Sequence, residues 1–258
     1  MEDFIWETIV ETVDRHQGRT AYRTPLVGFT PASDPGFAGL QEAVCPGHLM
    51  PQDLLPGAKT VAAFFVPFDR ELVLLQRKDP NVNRAWAEAY VETNLLIESV
   101  CISLRDALAG KGIKAAWQQP TNNFDRTTMI SFWSHKHVAY LCGLGSFGRH
   151  QMLITASGCA GRFGSLVFDA ALPEAAPALQ RAIAGAAGEE FCLARRGRRC
   201  VTCIKNCPSG ALTEQGLDKQ RCFRYLREVG EQFSDLDDCH VCGKCATGPC
   251  ALGIPGPD

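Results

Sequence analysis

The sequence predicts an α/β fold joined to a smaller C-terminal unit built around cysteines, and three observations carry that prediction. Thr60-Val-Ala-Ala-Phe-Phe-Val-Pro67 is a continuous apolar run of strand length ending at proline, the pattern of a strand buried in the middle of a sheet. From Val82 to Gly110, the residues Tyr90, Asn94, Ile97, Cys101, Leu104 and Leu108 recur at intervals of three and four, as one face of a long helix requires, and Gly110 and Gly112 end the run. Nine of the 13 cysteines fall between Cys192 and Cys250. At roughly 100 to 200 residues per domain, 258 residues allow one large domain or two small ones, and the cysteine distribution divides the chain into 1–188 and 189–258.

Composition excludes several classes. With 46% hydrophobic and 21% charged residues, the chain is neither disordered nor collagen-like, and it has the make-up of an ordinary globular protein without membrane spans. A net charge of -2 argues against wide nucleic-acid wrapping, which needs a basic surface. The start, Met1-Glu-Asp-Phe-Ile-Trp6, has no basic stretch followed by a long apolar one, so a reduced, cytoplasmic protein is expected. In that compartment clustered thiols are metal ligands more often than disulfides.

Taken in order, Glu2 to His16 places Phe4, Ile5, Ile9 and Val13 at helical spacing behind acidic residues, which predicts an amphipathic first helix. The proline-rich segments Thr24 to Pro35 and Cys45 to Pro56 read as loops before the Thr60 strand. After the long helix, Ile113 to Trp117 is a short strand and Ser134 to Leu141 a second helix. Gly143-Leu-Gly-Ser-Phe-Gly148 turns the chain into a hairpin of two strands, Met152 to Thr155 and Gly164 to Phe168, joined by Ser157-Gly-Cys-Ala-Gly161. The alanine-rich stretch from Ala170 to Gly188 carries two prolines and then a helix, and marks the boundary.

The strongest chemical signal is Cys192-x7-Cys200-x2-Cys203-x3-Cys207-Pro208, followed by Cys222 and by Cys239-x2-Cys242-x2-Cys245-x4-Cys250. Four thiolates hold one 4Fe-4S cube, and in two-cluster ferredoxins the cysteine before proline serves the other cube. Zinc also accepts four sulfurs, but zinc ribbons use two separated C-x2-C knuckles, whereas the x3-Cys-Pro ending is the ferredoxin form. The interleaving assigns Cys207, Cys222, Cys242 and Cys245 to one cluster and Cys192, Cys200, Cys203 and Cys250 to the other. Cys239 is then surplus, with an exchange for Cys192 or Cys245 left open by the spacing.

Other motifs are weaker. Gly143-x-Gly145-x-x-Gly148 matches a dinucleotide fingerprint, but helix precedes it and strand follows it, the reverse of a Rossmann turn, so its glycines are read as allowing a flat group to approach. Asn94 is the one polar residue on its helix face, either a satisfied core amide or a cofactor contact. His135, Lys136 and His137, with Asp125 and Tyr140 nearby, are candidate proton donors, the two imidazoles first because their ordinary pKa lies near neutrality. Arg195-Arg-Gly-Arg-Arg199 is a solvated loop or a dock for an acidic electron donor or a phosphate backbone.

The chain resembles the epoxyqueuosine reductases, which are related to reductive dehalogenases. The resemblance lies in Leu54-Leu-Pro-Gly-Ala-Lys-Thr-Val61, Gly143-Leu-Gly-Ser-Phe-Gly148 with Met152-Leu-Ile-Thr155, Gly161-Arg-Phe-Gly-Ser-Leu-Val167, Cys203-Ile-Lys-Asn-Cys-Pro-Ser-Gly-Ala-Leu212 and Arg221-Cys-Phe-Arg-Tyr-Leu226. It implies a nitroreductase-like α/β domain that binds cobalamin and a C-terminal ferredoxin-like domain with two 4Fe-4S clusters that reduce the cobalt, fed by a low-potential donor such as ferredoxin or flavodoxin. Asn94, Gly143, Gly145, Ser146, Gly148 and Met152 are the residues expected at the corrinoid. Three departures stand out: Gly197 replaces the cysteine expected three residues before Cys200, Met129 stands near the family's catalytic aspartate, and the sequence stops eight residues after Cys250 without a helical-repeat extension. These favour a small-molecule substrate over tRNA. A different class, an iron-sulfur electron carrier that reduces a partner's corrinoid or flavin, fits the same cysteines.

Overall fold

A computed structural model of the chain describes residues 1–119, 124–125, 127–172 and 190–256. The boundary expected at 188, and most of the alanine-rich stretch before it, lie outside the described residues. The central sheet has four antiparallel strands in the order β1-β2-β8-β3: β1 (Leu26–Pro31), β2 (Thr60–Pro67), β8 (Gly161–Phe168) and β3 (Ala115–Ala116), and outside it β4 (Phe124–Asp125) pairs with β5 (Ile130–Ser131). Every residue of β2 is buried because both its faces are covered. Ala62, Phe64 and Val66 point to a core shared with α1 (Glu2–Asp14) and α5 (Arg84–Ala109), while Val61, Ala63 and Phe65 point to one shared with α2 (Gly36–Ala43) and α6 (His135–Leu141). The predicted central strand and long helix are both present, and Tyr90, Ile97, Cys101, Leu104 and Leu108 are buried on one face of α5.

Two regions read as loops are not. Leu26–Pro31 is the edge strand β1, where proline at the strand end costs no ladder bond, and Pro51–Leu54 is a one-turn helix, α3, begun by proline at its first position. The expected hairpin from Met152 to Phe168 is also corrected. β7 (Leu153–Thr155) pairs with β6 (Gly145–Phe147), whereas β8 pairs with β2 and β3. The turn between β7 and β8 instead binds the cysteine-rich unit, with Cys159 N–H donating to the Cys250 carbonyl at 3.0 Å and Ala160 N–H to that of Ala251 at 3.1 Å.

The cysteine-rich unit contains α7 (Thr202–Lys205), α8 (Lys219–Gln232) and a 3-10 turn, Lys244–Thr247. It docks on α4 (Arg70–Lys78) and on the start of α5 through one hydrophobic cluster that includes Phe68, Val73, Trp86, Val229, Phe233 and Val241. Polar contacts cross the same seam: Gln76 Nε2 donates to the Cys242 carbonyl at 2.6 Å, Arg77 Nε to that of Thr247 at 2.6 Å, and buried Lys244 Nζ to those of Gln76 and Asp79. Gly243, in the left-handed region at φ 69°, lies against the Trp86 ring, where a side chain would overlap it.

Candidate metal centre and adjoining cavity

Eight of the nine C-terminal cysteines converge in two groups. Cys192, Cys200, Cys203 and Cys250 line one small cavity, and Cys207, Cys222, Cys242 and Cys245 line a second of about 290 Å³. Local structure explains the sorting. Helix α7 carries Cys203 inward, its end releases Cys207 before Pro208, α8 presents Cys222 from its first turn, and the Gly243 turn sets Cys242 and Cys245 on the same wall.

Electrostatics couple the thiols mainly within these groups. Burial pushes Cys203 up to about 11, helped by Cys250, Cys192 and Cys200, and burial pushes Cys242 up to about 12, helped by Cys222 and Cys207. Cys245 is raised further by burial, by Cys242, Cys222 and Cys207, and by Cys203 of the other group. Such mutual repulsion among buried thiolates is relieved by a cation they share. Cys239 belongs to neither group: its Sγ lies 3.9 Å from the Ala87 carbonyl in the seam, and its charged neighbours are Arg84 and Asp235.

Two residues that the spacing did not single out stand beside Cys250. His150 Nε2 is 3.2 Å from Cys250 Sγ, Cys159 Sγ is 3.8 Å from it, and His150 Nε2 and Cys159 Sγ are 3.7 Å apart. Donation from Cys159 and from His150 holds the Cys250 thiol well below its usual range despite burial. Both residues lie far from the cysteine run in sequence; the pairing of the β7–β8 turn with residues 250 and 251 brings Cys159 to it, and the turn before β7, whose Arg149 donates to the Cys200 carbonyl, brings His150.

The expected proton donors separate. His135 turns inward, its Nδ1 2.8 Å from Ser165 Oγ, and burial and then Arg162 push it down to about 4. His137 has Nδ1 2.7 Å from Ser134 Oγ, packs on Phe147, and is pushed down to about 4 by burial and then Lys136. Burial disfavours the charged form of both imidazoles. The Asp125 carboxylate accepts from Thr127 and Thr128 N–H in a turn, and these bonds hold it below the ordinary range. Tyr140 is half exposed against Phe147, on another surface. Lys136 remains: it lines the larger cavity with Cys245, its Nζ donates to the Gln151 carbonyl at 2.8 Å, and burial followed by Lys219 lowers it to about 8.

The residues expected to face a corrinoid also have other partners. A side chain on Gly145 would overlap the Ile154 carbonyl, and one on Gly148 would meet the His150 ring, so these glycines admit the protein's own groups. Gly143 is in the left-handed region at φ 74° and serves the turn itself. Ser146 Oγ accepts Phe191 N–H at 2.7 Å, tying the two units together. Asn94 Oδ1 accepts from Arg162, whose guanidinium lies 4.2 Å over the Tyr90 ring. Met152 lines the larger of the two cysteine cavities, together with Tyr90, Lys136, Gln151 and Arg162, and Gly143, Gly145 and Ser146 line a separate cavity of about 760 Å³.

No protein-family model and no curated protein matches this sequence. Solved structures do. An epoxyqueuosine reductase from Streptococcus thermophilus is similar over 100% of this chain and 68% of its own, with a TM-score of 0.56 at 14% identity. An epoxyqueuosine reductase solved with an epoxyqueuosine-modified tRNA-Tyr stem loop is similar over 97% of this chain, with a TM-score of 0.51 at 19% identity. The catabolic reductive dehalogenase NpRdhA is similar over 89% of this chain and 30% of its own, with a TM-score of 0.53 at 13% identity. The chain thus has the fold shared by epoxyqueuosine reductases and reductive dehalogenases, as the resemblance implied, and spans 66% of the tRNA-bound reductase's length. Among the described residues no helix is long and apolar enough to cross a membrane.

Proposed function

We propose that this chain is an iron-sulfur oxidoreductase that passes electrons through two 4Fe-4S clusters to a small acceptor bound beside the cluster of the Cys207, Cys222, Cys242 and Cys245 quartet. The observation that carries this reading is the convergence of eight thiols in two quartets, each on its own cavity. The interleaving, in which Cys207 before Pro208 joins Cys222, Cys242 and Cys245 while Cys250 joins Cys192, Cys200 and Cys203, is the ferredoxin form and fits iron-sulfur cubes better than two zinc knuckles. We accordingly read residues 1–188 as a nitroreductase-like domain and 189–258 as a ferredoxin-like one. When bound, the clusters supply a relay of single electrons from the protein surface to the cavity. The exposed Arg195 to Arg199 turn leads directly into Cys200, and an acidic low-potential donor such as a ferredoxin or flavodoxin docks there by charge complementarity.

The contacts expected for the corrinoid that the resemblance implies divide between two cavities. Met152 lines the cavity of about 290 Å³ beside Cys207, Cys222, Cys242 and Cys245, at the small end even for drug-sized ligands, while Gly143, Gly145 and Ser146 line a separate cavity of about 760 Å³. The reading therefore runs through the chain's own residues. Arg162, held by Asn94 and Tyr90, presents a fixed cation for an anionic group of the acceptor. Lys136, titrating at about 8 and steadied by the Gln151 carbonyl, donates the proton that accompanies reduction. Phe68, Trp86, Met152 and Leu212 exclude water around both. A proton donor aimed into the cavity favours this enzyme over a carrier that only hands electrons to a partner.

Turnover with a strong reductant and epoxyqueuosine-containing tRNA, run anaerobically beside a cobalamin titration, tests the acceptor. The expected result is no queuosine and an absorption spectrum equal to the sum of protein and free cobalamin. Robust queuosine formation, or a base-off cobalamin spectrum, overturns the small-acceptor assignment.

A further inference from the structure

His150 is the only side chain among the described residues that lines both cysteine cavities. It is 4% exposed and held in one orientation. Met152 N–H donates to its Nδ1 at 3.1 Å, so the ring proton resides on Nε2, the atom 3.2 Å from Cys250 Sγ. The glycine motif provides for this ring. Gly148 leaves the space it occupies, Gln151 takes a left-handed turn at φ 63°, and Gly148 N–H closes the turn on the Met152 carbonyl at 2.9 Å. Cys159 completes the surroundings with its thiol 3.8 Å from the same sulfur.

Other cysteine sulfurs are bonded by hydroxyl and backbone groups instead of an imidazole. Cys207 Sγ lies 3.5 Å from the Ser209 hydroxyl and accepts from the backbone N–H groups of Ser209, Ala211 and Leu212, and Cys200 Sγ lies 3.9 Å from the Thr202 hydroxyl, with no imidazole bonded to either among the described residues. A hydrogen bond to a cluster sulfur stabilises the more negative, reduced state, and such bonds are among the factors that set the potential of an iron-sulfur centre.

We propose that His150, by donating its Nε2 proton to Cys250 Sγ, raises the reduction potential of the cluster held by Cys192, Cys200, Cys203 and Cys250 and so sets it apart from the cluster of the other quartet. The inference rests on the two-cluster reading above. It makes His150 a positioning residue of the relay. The cluster beside the exposed arginine turn then becomes the better electron trap, the one that captures electrons from a docked donor before they move inward.

The test is a redox titration of the full, cluster-replete chain followed by electron paramagnetic resonance, comparing the unsubstituted protein with His150→Leu and His150→Gln. Iron and sulfide content are measured first, so absence of clusters in the unsubstituted chain reports failure of the parent reading and not of this one. The expected result is that His150→Leu lowers one of the two potentials by about 59 mV, the one-electron equivalent of a tenfold change in equilibrium constant, and leaves the other in place. His150→Gln, whose amide N–H reaches the same sulfur, restores most of the shift. Loss of a nitrogen coupling from the signal of the affected cluster in His150→Leu identifies the bond. If His150→Leu loses a cluster, Cys159→Ala carries the test, with a smaller shift of the same sign in the same cluster expected. Unchanged potentials in a cluster-replete His150→Leu, or in Cys159→Ala where that variant carries the test, overturn the proposal.

Discussion

The α/β unit and the cysteine-rich unit are stabilised in different ways. In the first, β2 and β8 pair over eight residues, both faces of β2 are covered, and the long helix α5 buries eleven side chains. In the second, between residues 190 and 256, α8 runs 14 residues and buries only Val229, and the remaining backbone is largely turns. What holds that unit is the seam with α4 and α5, where side chains cap its carbonyls, together with whatever its two cysteine quartets enclose. An apolar core suffices for one region; the other needs its ligands and its neighbour.

That contrast can be broken in either direction. The largest effect is expected from Cys207→Ala, which removes one member of the inner quartet. Iron content should fall by about half, one cube of two, and limited proteolysis should open the region after residue 190 while the sheet stays protected. Phe64→Ala acts on the other region. Phe64 is fully buried between β2 and α5, and its loss should cost about 3–5 kcal/mol in denaturant unfolding with the iron content of the folded protein unchanged.

Lys136→Met sharpens the functional side of the comparison. Reduction of the acceptor should slow by about 100-fold, the lower range for loss of a general acid. The pH profile gives the sign: Lys136 is protonated below about 8, so its contribution is complete below that pH and declines above it. Lys136→Met should abolish this alkaline limb, measured as steady-state rate against pH. Gln76→Ala leaves the Cys242 carbonyl without its donor in the seam and should destabilise docking by about 1–3 kcal/mol, read as earlier proteolysis of the cysteine-rich unit. Smallest is Cys239→Ala, which should keep both clusters and change only packing against Ala87, checked by iron analysis and thermal unfolding.

Much of this was legible in the sequence. The apolar Thr60–Pro67 run, the three-and-four spacing of α5 and the two interleaved cysteine sets are local patterns, and the structure places the strand and helix there and sorts the eight thiols on two cavities. What escaped was non-local. β1 was hidden between Pro25 and Pro31, because proline marks a loop unless the strand lies at a sheet edge. β7 and β8 looked like one hairpin because nothing in their own residues shows that the turn between them pairs with Ala251. The three consecutive residues His135, Lys136 and His137 read as one polar patch, yet helical geometry sends them to three surroundings, and burial makes the lysine rather than either imidazole the group that titrates near neutrality.

The central claim, two four-iron clusters held by the two quartets, is tested most directly by quantifying iron, acid-labile sulfide and zinc in the anaerobically purified chain. The account predicts about eight iron and eight sulfide per chain, two cubes in all, with no stoichiometric zinc. Stoichiometric zinc, or about four iron with full occupancy of one quartet alone, contradicts it.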